Sequence, residues 1–151
     1  MRGYNTMAKM NPPLRTADDV AAIKRGLKDG TIDVIATDHA PHGMDEKSGE
    51  FDYAPFGIVG LETALALSLT LASEKLITVA ETIAKLSLNP ARVMKLDKGT
   101  LSPGADADVT IIDPDAAWTV DVSRFRSRSK NTPFSGWILK GKAIQTIVQG
   151  K

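Results

Sequence analysis

The run Thr31-Ile32-Asp33-Val34-Ile35-Ala36-Thr37 constrains this chain more than any other segment, because it is short, β-branched, largely apolar and follows directly on a helical pattern. Such a run reads as a buried strand of a parallel α/β sheet. The helix before it carries its own boundary signals. Thr16 is the N-cap, Asp18 and Asp19 fall in the first turn, Val20, Ile23 and Leu27 share one face, and Asp29-Gly30 is the stop. An α/β fold class follows. The next residues, Asp38-His39-Ala40-Pro41-His42, then lie at the C-terminal end of the strand, which is where open α/β sheets and (β/α)8 barrels bind ligands.

A carboxylate and two imidazoles within five residues can ligate a metal, relay a proton or bind an anionic substrate. The blander reading has Asp38 capping the turn, with His39 and His42 as ordinary polar loop residues. Composition narrows the remaining choices. With 19 basic and 18 acidic residues interleaved and a formal net charge of +1, the chain has no field to attract nucleic acid or an anionic membrane. It contains no cysteine, which excludes disulfides and thiolate metal sites and makes the cytoplasm the expected compartment. The longest apolar run, Leu61 to Ala72, is too short to span a bilayer, and the first residues lack the pattern of a secretion signal.

Upstream, Lys9-Met10-Asn11-Pro12-Pro13-Leu14-Arg15 reads as a rigid loop, because two prolines remove backbone donors. Residues 43–57 form a polar, Gly/Pro-marked loop long enough to suggest function. A helix is predicted over Ile58 to Ala72, with Leu61, Leu65, Leu69 and Ala72 as its core stripe. Another opens at the capping box Thr78-Val79-Ala80-Glu81, runs to Leu88 and is broken by Asn89-Pro90; a short helical segment, Ala91 to Leu96, follows. After Lys98-Gly99 the pattern changes to short β-rich runs, Ala107 to Ile112, Trp118 to Val122, Trp137 to Lys140 and Ala143 to Val148, read as a small antiparallel unit. Trp118 and Trp137 read as packing residues. The domain reading is therefore 1–97 and 98–151.

Three blocks settle the reading of the histidine-bearing loop: Lys9-Met10-Asn11-Pro12-Pro13-Leu14-Arg15, then Ala36-Thr37-Asp38-His39-Ala40-Pro41-His42, then Ala54-Pro55-Phe56-Gly57 with Gly60-Leu61-Glu62. In order and spacing they resemble the dihydroorotase family. Gly104-Ala105-Asp106-Ala107-Asp108 and Lys130-Asn131-Thr132-Pro133-Phe134 resemble the segment that this amidohydrolase superfamily folds into a small β domain. The resemblance implies the C-terminal portion of a (β/α)8 metal-dependent hydrolase barrel followed by that β-rich domain. It implies zinc-dependent, reversible hydrolysis of the cyclic amide of L-dihydroorotate to N-carbamoyl-L-aspartate in pyrimidine synthesis, with one or two zinc ions. Carried over by residue, Asp38 is both zinc ligand and general base, Asn11 and His42 bind the substrate's carboxylate or ring, and Phe56-Gly57 close over the ring. Glycine at 57 allows close approach. His39 reads as orienting Asp38 or packing in the loop, outside the site, and Arg15 reads as structural.

The family's metal centre also needs a His-x-His pair and further histidines, and this chain has only His39 and His42. A (β/α)8 barrel takes about 250 residues. The expectation is a fragment, inactive alone, that holds half of a site. Two alternatives remain: an allantoinase- or hydantoinase-type cyclic amidase, and a non-catalytic dihydroorotase-like partner of aspartate transcarbamoylase. The partners implied are a small-molecule substrate, with a homo-oligomer or aspartate transcarbamoylase as protein partners, and neither nucleic acid nor membrane.

Overall fold

The computed structural model describes residues 3–151. A 3-10 turn at Thr6–Ala8 precedes the loop that carries Asn11, whose peptide bond to Pro12 is cis. Helix α1 spans Ala17–Asp29. Its start is fixed as the residues dictate: the Asp19 amide donates to the Thr16 hydroxyl at 3.3 Å, and the Thr16 amide returns a bond to the Asp19 carboxylate at 3.1 Å. Arg15 pairs with the same carboxylate at 3.3 Å. Of the predicted apolar face only Leu27 is buried, while Val20 and Ile23 are about half exposed, at 47% and 52%.

The segment predicted as a buried strand, Thr31 to Thr37, belongs to no strand or helix among the described residues, and none of it is fully buried. A parallel strand needs a neighbour on each edge to use its amides and carbonyls. Here helices supply some of them. The Ile35 amide donates to the Lys85 carbonyl at 3.0 Å, the Lys85 ammonium donates to the Ile32 carbonyl, and the Asn89 side chain donates to the Asp33 carbonyl at 2.9 Å.

The polar loop 43–57 contains one short helix, α2, at Met44–Lys47. Helix α3 spans Leu61–Ser73. Burial falls on Thr63, Ala66, Ser68 and Leu69, whereas Leu61, the first member of the predicted stripe, is 61% exposed. Helix α4, Val79–Leu86, opens on the expected capping box: Glu81 donates its amide to the Thr78 hydroxyl at 3.1 Å and accepts from the Thr78 amide. Helix α5 spans Leu88–Val93, so Asn89-Pro90 does not break the helical region but sits in the first turn of a new helix. There the missing proline amide costs nothing.

The four β runs join into two longer strands, β1 at Val109–Thr119 and β2 at Ile138–Ile147, which form a two-stranded sheet. Val120 meets Trp137 at one end and Ala107 meets Gly150 at the other, so the strands run antiparallel. Between the first two predicted runs the Asp113 carboxylate accepts the amides of Asp115 and Ala116 at 2.9 and 3.1 Å, and the strand continues through Pro114. Gly141 likewise lies inside β2 (φ 100), where a Cβ would come within 2.4 Å of Leu69 Cδ1. The acids Asp106 and Asp108 clasp Lys98, whose ammonium they hold above its usual range chiefly through the hydrogen bond to Asp106.

The chain divides into two units. One gathers the stretch ending at Val20, Thr37–Ala64 and Trp118–Leu139. The other gathers Ala21–Ala36, Leu65–Ala117 and Lys140–Lys151. The first contains every candidate site residue.

Candidate active site

Asp38 stands where the Thr31 to Thr37 segment turns into the loop, with φ 44 in the left-handed region. That conformation costs an L-residue about 1–2 kcal/mol, and aspartate is one of the few that visit it. The surroundings hold it there. On one side the Thr37 carbonyl packs 2.7 Å from where a Cβ on Gly60 would lie, an approach only glycine permits. On the other side the ring of His39 is tied down, its Nδ1 accepting the Gly60 amide at 3.1 Å and the Leu61 amide at 3.3 Å. His39 thus caps the N-terminus of α3, and its ring proton resides on Nε2. Asp38 is exposed, and among the described residues no hydrogen bond or ion pair engages its carboxylate.

His42 is partly buried and doubly anchored. Its amide donates to Asn131 Oδ1 at 3.1 Å, and its Nε2 donates to the Phe56 carbonyl at 2.8 Å. In the neutral ring Nδ1 is then the free nitrogen, 3.8 Å from Glu46 Oε2. Gly57, at φ 121, follows immediately. A Cβ there would lie 2.4 Å from the Ala40 Cβ and 3.4 Å from His42 Nε2, so glycine lets the 56–57 backbone close onto the 40–42 backbone. The structure therefore brings His42, Phe56 and Gly57 together. Asn11 is exposed, two residues beyond Lys9, whose carbonyl accepts the Gly57 amide at 3.0 Å.

Three residues not singled out in the sequence brace this loop. Lys47 is 0% exposed, and its ammonium donates to the carbonyls of Pro55 (2.8 Å), Gly57 (3.1 Å) and Lys9 (3.4 Å). Burial, and then the charge of Lys9, hold its pKa below the usual lysine range. Lys9 donates to the Phe51 and Asp52 carbonyls at 2.6 and 3.1 Å and lies 4.6 Å over the Phe56 ring, a cation–π contact with a ring that is otherwise 54% exposed. Asn131, also 0% exposed, donates to the Ala40 and Gly57 carbonyls at 3.1 and 3.2 Å, and its own carbonyl accepts the Val59 amide at 2.9 Å. Lys9 and Asn131 lay within recognisable motifs. Lys47 lay in the stretch read only as a polar loop, residues 43–57.

A free carboxylate on a braced turn can accept and return a proton without moving its backbone. It cannot build a metal centre unaided. Among the described residues no group of three or more His, Cys, Asp or Glu could hold a metal ion, and His39 Nδ1 and His42 Nε2 already have other partners. The donors present therefore do not fit a self-contained metal site.

The amidohydrolase family profile matches residues 7–151, and this chain belongs to that family. Its relatives narrow the class. The chain is 60% identical, over its full length, to a protein named dihydroorotase from Geobacter metallireducens, and 56% identical over 98% of its length to another of that name from Syntrophus aciditrophicus. It spans 36% and 35% of those proteins, about a third of their length. Among solved structures, the L-hydantoinase (dihydropyrimidinase) from Arthrobacter aurescens superposes with a TM-score of 0.90 at 32% identity, over 99% of this chain and 35% of that one. A D-hydantoinase superposes at 0.86 and 24% identity over 97% of this chain and 33% of that one, a likeness of fold.

Proposed function

We propose that this chain is the part of a dihydroorotase that supplies the catalytic carboxylate and the loop closing over the substrate. In this reading it corresponds to the last segment of a (β/α)8 barrel, residues 1–97, followed by the small β domain, 98–151. The intact enzyme interconverts L-dihydroorotate and N-carbamoyl-L-aspartate by opening and closing a cyclic amide, in the cytoplasm, for pyrimidine synthesis. Asp38 moves the proton between the attacking water and the leaving amide nitrogen. Asn11 and His42 bind the substrate carboxylate or ring, and Phe56-Gly57 close over it. Zinc is the metal, with Asp38 as this chain's ligand and the others contributed by residues outside it.

The observation that carries the reading is Asp38 itself, exposed, with φ 44 and no hydrogen bond or ion pair to its carboxylate among the described residues, in a turn flanked by the close Thr37–Gly60 approach and the anchored His39 ring. Strained backbone around a free carboxylate has no folding benefit and suits a reacting group. The shared name of relatives at 60% and 56% identity supports the substrate over a hydantoin. The test is a hybrid in which this chain replaces the matching stretch of the Geobacter metallireducens protein. With zinc it turns over dihydroorotate and not hydantoin; the reverse preference would make the protein a hydantoinase-type amidase.

A further inference from the structure

Burying an ammonium with no carboxylate beside it is expensive, and Lys47 does so completely. Among the described residues it has no ion-pair partner; its three acceptors are all backbone carbonyls. For stability alone, a methionine of similar length would fill the space without that cost. What the lysine adds is direction. Its ammonium meets the Asn131 side-chain amide at one atom, the Gly57 carbonyl, which accepts from Lys47 at 3.1 Å and from Asn131 at 3.2 Å. The amide side of the same residue is also held, by the Lys9 carbonyl, to which Lys47 donates as well. Asn131 further fixes the opposing strand of the loop through the His42 amide and the Ala40 carbonyl. Gly57, the residue with the least conformational preference of its own, is thus held at its carbonyl by two side chains and at its amide by the Lys9 main chain.

We propose that Lys47 and Asn131 are positioning residues: together they set the Phe56–Gly57 backbone against His42 and so fix the surface that meets the substrate. Neither touches substrate. The proposal rests on the loop's closing role in the dihydroorotase reading, but its geometric part can be measured independently of turnover. Hydrogen exchange is followed in the 151-residue chain for the segment 55–60 and, as an internal control, for α4. Lys47→Met and Asn131→Ala are expected to speed exchange of the Gly57 amide on the order of tenfold, the scale of one net hydrogen bond, with α4 unchanged. Lys47→Arg, which keeps the cation and its donors, restores part of the protection. Should Lys47→Met loosen α4 as well, Asn131→Asp decides: it keeps the acceptor for the His42 amide and loses only the donors to Ala40 and Gly57. Protection at Gly57 equal to wild type in Asn131→Asp, or in Lys47→Met with α4 intact, overturns the proposal.

In the zinc-loaded hybrid the same variants are expected to raise KM for dihydroorotate about tenfold while kcat stays within about threefold, as for loss of uniform binding. A fall in kcat at constant KM would overturn the positioning role. A wild-type hybrid without turnover would sink the dihydroorotase reading while leaving the exchange result to judge the loop.

Discussion

At the scale of single residues, side chains hold the loop backbone in place. Gly57→Ala puts a methyl 2.4 Å from the Ala40 Cβ at φ 121, so it is expected to cost about 2–3 kcal/mol, read by denaturant unfolding. Equal stability would mean the loop is not closed there. His39→Ala removes the acceptor from the first amides of α3 and is expected to speed their exchange by several-fold, with His39→Asn recovering part of the effect. Unchanged exchange at Gly60 and Leu61 would remove His39 from that role. The place of Asp38 was legible because it follows directly on the Thr31 to Thr37 run. Lys47 was not, because its burial comes from carbonyls at 9, 55 and 57, and nothing in Met44-Asp45-Glu46-Lys47 distinguishes a buried ammonium from a solvated one.

At the scale of elements, the two capped helix starts were legible, the starts of α3 and α5 fell three residues from those read, and strand ends were read poorly. Thr16 and Thr78 cap as read, because a capping box is complete within four residues. Thr31 to Thr37 failed as a strand because strand pairing depends on distant partners. The two β strands came out as four because Asp113-Pro114 and Gly141 carry turn chemistry that tertiary contacts override. The α4 cap is testable by pH. Bonds from the Thr78 amide and hydroxyl hold Glu81 below its usual value of 4.5, so folding favours the ionised form. The stabilisation is then complete above that value and lost as pH falls through the lower folded value. Protection of α4 should weaken on going from neutral pH to about pH 3, and Thr78→Ala should weaken it already at neutral pH. An α4 insensitive to both would contradict the cap.

At the scale of the whole molecule, many large apolar side chains have no cover: Val93, Met94, Leu101 and Ile138 are 63%, 68%, 77% and 77% exposed. Exposed apolar surface on this scale drives association, so the isolated chain is expected to sediment as oligomers at micromolar concentration. A stable monomer would count against the reading that its apolar faces are built to be covered. In the proposed reading Asp38 needs metal ligands from outside the chain, which has two histidines and, among the described residues, no cluster of three or more His, Cys, Asp or Glu. The zinc-loaded chain alone is accordingly expected to leave dihydroorotate unchanged. The central claim is that Asp38 is the proton-transferring carboxylate of a dihydroorotase, and the most direct measurement is dihydroorotate turnover by the hybrid enzyme with Asp38 and with Asp38→Asn. The account predicts turnover that falls by about 10²–10⁴-fold in the variant while the 55–60 segment keeps its exchange protection. A variant within a few-fold of wild type, with that protection intact, would contradict it.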